Sequence, residues 1–341
     1  MLASVQGQVD KIVVVDTGST DRTRSIAQAA GAVILDHVWD GDFSAARNRA
    51  LDAVPVGAWV LALDADERLA PGGGVQIREF MAADDYAYAA LSLYNASRLD
   101  MSLDEAKAPD SGISPVLVPR LFKRDSELLW EGRIHEVPRR WTKSRRGVEL
   151  MVPLLHLGYA KEWIEKKGKS DRNRKALEEE VQAHPDSSVL RAYLAFEYFR
   201  AGEAEKGWLQ ADYGWQLCLR ANADENDPVI NLGNMRTQAL LEKGRIEEAE
   251  QTVADMRRLG QPHPNTEWLE GRCALVRAMA GDNSLVEAGI AAYLRALGWQ
   301  RTVFQEVMLE GVNSWRSTYE LGLLLMLAER YAEAAPLLAK A

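Results

Sequence analysis

The side chains best placed for chemistry are aspartates that end apolar runs. VDKIVVV (Val9 to Val15) leads into Asp16, and AWVLAL (Ala58 to Leu63) leads into Asp64-Ala65-Asp66-Glu67. Two carboxylates in that position suit a divalent cation, because Mg2+ and Mn2+ take hard oxygen ligands and usually keep some water. A cation held this way neutralises charge on a leaving diphosphate. Asp-x-Asp triplets are common on surfaces, and helix capping or plain solvated charge is the competing reading of Asp64 and Asp66. The upstream turn Asp16-Thr17-Gly18-Ser19-Thr20-Asp21, after a strand of its own, favours the chemical reading.

These residues need a scaffold that brings strand ends together. The β-branched run before Asp16 predicts a buried parallel strand. Asp21 can cap a helix from Arg22 to about Ala30, which Gly31 ends. Ala32 to Leu35 reads as a second strand, Phe43 to Ala53 as a helix, and Ala58 to Leu63 as a third strand. This β-α-β-α-β order predicts an α/β domain with a mostly parallel, Rossmann-like sheet. Ligands sit at the carboxyl ends of such strands, so Asp16, Asp64 and Asp66 are expected to converge at one rim.

Composition narrows the function classes. The 341 residues are 47% hydrophobic and 27% charged, the balance of a globular chain long enough for two domains. A net charge of -9 argues against broad nucleic-acid binding, which needs a basic surface. The basic run Arg139 to Arg146 reads as a solvated loop, with phosphate or membrane-surface contact as its alternative. Cys218 and Cys273 lie among apolar residues and read as buried thiols of a reducing compartment. No apolar run is long enough for a transmembrane segment and no signal peptide is visible, so the cytoplasm is the expected location.

Beyond residue 160 helical periodicity takes over. Asp227 to Gly260 is a 34-residue unit of two helix patterns broken at Gly244, and 34 is the tetratricopeptide period. Ser187 to Arg220 and Pro264 to Gly298 repeat the pattern with Gly202 and Gly281 at their turns, and Ser314 opens a fourth. The apolar faces must stack on neighbours. Such arrays present concave surfaces that suit peptides or proteins, and they also mediate homodimers.

Six motifs then carry a resemblance. VVVDTGSTDRT (Val13 to Thr23), DFSAARNRAL (Asp42 to Leu51), WVLALDADE (Trp59 to Glu67), PRLFKR (Pro119 to Arg124), WEGRIHE (Trp130 to Glu136) and LLHLGY (Leu154 to Tyr159) resemble family 2 glycosyltransferases of the GT-A fold. Together they resemble the bacterial branch fused to tetratricopeptide-like repeats, which includes peptide S-glycosyltransferases. Domains at 1–160 and 161–341 follow. Family members usually open with an apolar strand ending in Lys-Asn-Glu and then a helix. MLASVQG (Met1 to Gly7) reads as the end of that helix, so the expected sheet lacks its first strand.

The resemblance implies a metal-dependent inverting transfer from a nucleotide-diphosphate sugar, with Mg2+ or Mn2+ as cofactor. Asp16 would contact the base or ribose, with Thr17, Gly18 and Ser19 shaping the turn beside it. Asp21 is either a helix cap or a ligand. Arg47 would clamp the diphosphate with its guanidinium, with Asn48 beside it and a surface ion pair as its alternative. Asp64 would face the ribose and Asp66 the cation, with His156 or His135 as a further metal ligand. Glu136 is the expected base and Glu131 its rival. Trp130 would stack on a sugar or fill the core. The acceptor is expected to be a peptide or protein. A surface-glycan or lipid-linked acceptor is the alternative, and an inactive transferase domain serving a binding scaffold is the third reading.

Overall fold

The computed structural model describes residues 1–83, 86–108, 111–113, 115–138, 147–158, 160, 169–221, 228–300, 308–309 and 311–340. The basic run Arg139 to Arg146, Tyr159, the helical start at Lys161, Asp227 and the chain end at Ala341 lie outside the described residues. The chain divides into two compact units, Met1–Ala176 and Leu177–Ala341.

The first unit begins with a short helix, α1 (Leu2–Val5), and continues as β1 (Val13–Asp16), α2 (Thr23–Ala29), β2 (Val33–Asp36), α3 (Phe43–Leu51), β3 (Trp59–Leu61), β4 (Glu67–Leu69) and α4 (Gly73–Ala83). Then come β5 (Tyr88–Asn95), α5 (Leu103–Lys107), β6 (Val116–Lys123), β7 (Trp130–Glu131), β8 (Val137–Pro138) and β9 (Gly147–His156). The local chemistry accounts for the boundaries. Asp42 caps α3 by accepting the Ala45 N–H at 3.1 Å. Asp21 accepts the Thr23 N–H at 2.9 Å, so it closes the first turn of α2 as a cap does.

The sheets differ from the expected mostly parallel one. β1 pairs with β2 in parallel, and a separate sheet has the order β3-β6-β5-β9-β4. In the larger sheet β5 and β9 are parallel, whereas β3–β6, β5–β6 and β4–β9 are antiparallel. Parallel pairing follows the α2 crossover. After Glu67 every neighbouring pair but β5–β9 is antiparallel. Among the described residues β1 and β3 share no ladder, so Asp16 and the 64–66 turn stand on different sheets. Leu91, Leu121 and Leu154, from the three central strands, are fully buried at the core.

The second unit contains α7 (Ser188–Arg200), α8 (Ala204–Ala221), α9 (Val229–Glu242), α10 (Ile246–Leu259), α11 (Pro264–Met279), α12 (Val286–Leu297), α13 (Trp315–Leu327) and α14 (Tyr331–Lys340); α6 (Lys169–Ala183) bridges the division point. Helices pair as hairpins, and each pair turns in the same way. After α9 the Gly244 N–H bonds Leu241 O at 3.1 Å and the Arg245 N–H bonds Leu240 O at 2.9 Å. The same two bonds close α7, α11 and α13. This double bond pattern requires a left-handed residue just past the helix. Gly202, Gly244 and Gly281 supply it in three turns, but Glu329 occupies it in the fourth at φ +61°. Trp215, Trp268 and Tyr293 fill the core between helices. Buried Glu320 gathers Trp268 Nε1 and Tyr293 OH, each at 2.9 Å, and Arg272 Nη1 at 2.6 Å, tying three helices by one carboxylate. Cys218 and Cys273 are buried free thiols, as expected.

Two stability predictions follow from this unit. A left-handed non-glycine residue costs roughly 1–2 kcal/mol, partly offset by the chain entropy a glycine loses on folding. Glu329→Gly should therefore raise stability by up to about 1 kcal/mol, and Gly244→Ala, where an added Cβ meets nothing within 4 Å, should lower it by about 1 kcal/mol. Urea titration of the helical transition checks both. Burial opposes ionisation of Glu267, but its hydrogen bonds from Arg257 and Arg295 outweigh that and hold its carboxyl below the ordinary glutamate value. A depressed folded-state value gives stability that is present above the ordinary value and lost as pH falls through the folded one. The helical transition should weaken on acidification below about pH 4.5. Glu267→Gln should flatten that slope, since Arg257 and Arg295 each keep Glu270 as a partner.

Candidate functional site

The site is built where the end of β3 meets β6 and α3. The turn after β3 is closed by the Glu67 N–H bonding Asp64 O at 3.0 Å and the Asp64 N–H bonding Glu67 Oε2 at 3.1 Å. These bonds fix Asp64 at the outer end of the strand and turn Glu67 inward, where it is fully buried at the start of β4.

Two arginines converge on Asp64. Arg47 Nη2 donates to Oδ1 at 2.6 Å, and Arg120 Nη2 donates to Oδ2 at 2.8 Å. Arg120 also bonds Glu67 Oε1, and Arg47 Nε bonds Glu136 Oε1. Burial works against the charge on Asp64, but the guanidiniums of Arg47 and Arg120 outweigh it and hold its carboxyl below the usual range. Burial pushes Glu67 the other way, above the usual glutamate value. Burial also opposes the charge on Arg47, and Asp64 and Glu136 more than compensate.

Arg47 lies one turn into α3 and stacks over the Trp130 ring, 4.8 Å from its centroid. Asn48, one residue on, accepts the Trp130 N–H at 2.8 Å and donates to its carbonyl at 2.9 Å. Asn48 thus fixes β7 against α3, and Trp130 is a core residue that also backs Arg47. The turn between β7 and β8 carries Gly132 at φ +99° and His135 at φ +54°. A left-handed histidine is a strained choice, and it precedes Glu136, whose carboxylate reaches Arg47. Burial lowers the His135 imidazole to about 4. Glu131 stands on β7 across from Val137.

A second cluster comes from strand register. β4 pairs with β9 so that Glu67 faces His156, and the Leu157 N–H bonds Asp66 O at 2.9 Å. This sets His156 Nε2 at 3.5 Å from Asp66 Oδ1. β5 pairs with β9 so that Asn95 faces His156, and Asn95 Oδ1 lies 2.8 Å from His156 Nδ1. Asn95 therefore orients the ring with Nε2 toward Asp66, the relation expected of a histidine ready to ligate through Nε2. Gly158 backs the pair: a Cβ there would lie 2.6 Å from Asp66 Oδ2 and closer still to His156 Nε2. His135 belongs to the other turn.

Asp16 falls in a separate network. Its carboxylate accepts the Ser19 N–H at 3.3 Å and Arg24 Nη1 at 2.9 Å, and Arg24 also bonds Asp36. Hydrogen bonds from Ser19 and Arg24 hold Asp16 below the usual aspartate range. Gly18 shapes this turn at φ +106°, beside exposed Thr17 and Ser19. Asp64 and Asp66 share one turn, while Asp16 ends a strand of the β1–β2 sheet and pairs with Arg24. Arg120 and Asn95 were not anticipated. The signal for Arg120 is a cation in the interior of a largely apolar strand, VLVPRLFK; Asn95 carries none, because only strand pairing brings it to His156.

With this geometry in view, the chain's likeness to other proteins can be placed. Residues 1–131 match the sequence model of glycosyl transferase family 2. A TPR repeat-containing protein of Synechococcus elongatus is 32% identical over 219 residues, covering 61% of this chain and 51% of that protein. The chain thus spans about half the length of this curated relative. Similar solved structures include MamA, at 15% identity and TM-score 0.38 over 52% of this chain and 89% of that one. BtubC from P. vanneervenii has 15% identity and TM-score 0.41, over 52% and 74%. The first unit of this chain carries a glycosyl transferase family 2 domain, joined to a helical, tetratricopeptide-like repeat unit.

Proposed function

We propose that the first unit transfers a sugar from a nucleotide-diphosphate donor to a peptide or protein acceptor. The observation that carries this reading is the pairing of two prepared clusters on one turn. Asp64 is held by Arg47 and Arg120, and two residues on Asp66 faces an oriented His156.

The residues fit a divalent cation. Asp66 and His156 are an oxygen and a nitrogen donor side by side, backed by a glycine that leaves the space a Cβ would fill. Among the described residues no three His, Cys, Asp or Glu side chains gather at metal spacing. Two protein ligands, with the remainder from diphosphate and water, is the habit of Mg2+ and Mn2+. Asp66 and His156 would hold the ion, which when bound neutralises charge on the diphosphate.

The other steps belong to the chain's own groups. Asp16, in its turn with Thr17, Gly18 and Ser19, would face the nucleoside, and Asp64 the ribose. Arg47, moving from Glu136 to the diphosphate, would stabilise the leaving group and free the Glu136 carboxylate. Glu136 would then take the proton from the acceptor as that atom bonds the anomeric carbon and the bond to the diphosphate breaks. One displacement of this kind inverts the anomeric centre. A peptide or protein acceptor is supported by the repeat unit, which carries exposed Tyr193 and Phe196 on α7 and Trp315 and Tyr319 on α13. A cytoplasmic setting agrees with the two buried free thiols. No helix among the described residues is long and apolar enough to cross a membrane.

Incubating the full chain with a panel of uridine and guanosine diphospho-sugars and MnCl2, with mass-spectrometric readout, tests the reading; no donor turnover anywhere in the panel would reject it. Asp66→Ala should reduce Mn2+-dependent turnover by at least about 100-fold. Gly158→Ala should weaken Mn2+ dependence with little change in melting temperature, because the nearest atoms its methyl group meets are side-chain atoms of Asp66 and His156. Glu136→Gln should lower kcat by about 100-fold or more, within the range of a lost general base. A near-normal rate for Glu136→Gln beside a crippled Glu131→Gln would transfer the base role to Glu131.

A further inference from the structure

We propose that Arg120 is a positioning residue for the donor site, holding Asp64 in place while Arg47 exchanges partners. This rests on the donor reading above. The two arginines bind Asp64 from different parts of the fold. Arg47 reaches it from α3, shares itself with Glu136 on a turn, and would have to leave to meet a diphosphate. Arg120 stands within β6, near the strand's fully buried Leu121 and Phe122. Its carbonyl accepts the Ala62 N–H at 2.8 Å, which anchors the end of the strand leading to Asp64. Its Nη2 closes a ring: Arg120 to Asp64, Asp64 N–H to Glu67, and Glu67 back to Arg120. Remove Arg47 and Asp64 still has this support.

Stability alone does not account for the arrangement. Glu67 is fully buried, and Arg120 Nε is buried without a hydrogen-bond partner among the described residues. Such groups cost stability relative to apolar side chains of the same volume. What the ring achieves is orientation: it turns Asp64 outward and closes the turn on which Asp66 faces His156.

Calorimetric titration of the full chain with UDP-glucose, UDP-N-acetylglucosamine and GDP-mannose in MnCl2, with melting temperatures in parallel, tests this. For whichever probe binds, Arg120→Gln should weaken affinity by about 10-fold or more, and Arg120→Lys should recover to within about threefold of wild type. In an Asp64→Asn background, Arg120→Gln should add less than about twofold, because it acts through Asp64. The pair Glu67→Gln with Arg120→Gln removes both buried charges and keeps the test valid if the single variant unfolds; it too should bind about 10-fold more weakly. Wild-type affinity in that pair, or penalties that simply add to Asp64→Asn, would overturn the role of Arg120 and leave the donor reading standing. Failure of the wild type to bind any probe would overturn both.

Discussion

Charge neutralisation in a small, partly buried volume is the constraint on which the first unit depends. Two guanidiniums and three carboxylates meet at the end of β3: Arg47, Arg120, Asp64, Glu67 and Glu136. Taking such groups out of water is costly, and the cost is recovered only if each finds a partner in good geometry. The partners here come from five places in the chain: α3, the turn after β3, the start of β4, the middle of β6 and the turn before β8. Each must therefore be held to within a fraction of an ångström. The antiparallel β3–β6 register, the Asn48 clamp on Trp130 and the turn bonds between Asp64 and Glu67 do this.

The Asp66–His156 pair depends on the same turn but is built by a different device. Two strand registers do the work, one from β4 and one from β5, both read against β9. One turn thus carries a carboxylate committed to cations of the protein and, two residues on, a carboxylate set beside a histidine. In the function proposed above, a nucleotide-diphosphate with its cation would use that division: a fixed polar frame on one side and a ligand-ready pair on the other.

The repeat unit rests on a simpler rule. Each helix hairpin turns through a left-handed residue with the same two hydrogen bonds, and each buries one face on its neighbours. The stack tolerates a buried carboxylate at Glu320 because three side chains from two neighbouring helices donate to it.

Local patterns were enough to identify the α/β order, the hairpin repeats, the glycine turns at Gly202, Gly244 and Gly281, and the turns around Asp16 and Asp64. These depend on residues a few positions apart, whose periodicity and backbone preferences are written in the chain. The fourth turn shows the limit: Glu329 adopts the conformation that glycine supplies in the other three, closed by the same two bonds. Strand direction, and with it the mixed sheet, was decided by pairings between distant segments. So were the meeting of Asn95 with His156 and of Arg120 with Asp64, and the pairing of Asp16 with Arg24. A side chain's partner across a sheet follows from register, and register is set by the burial of whole strands, which no short motif contains.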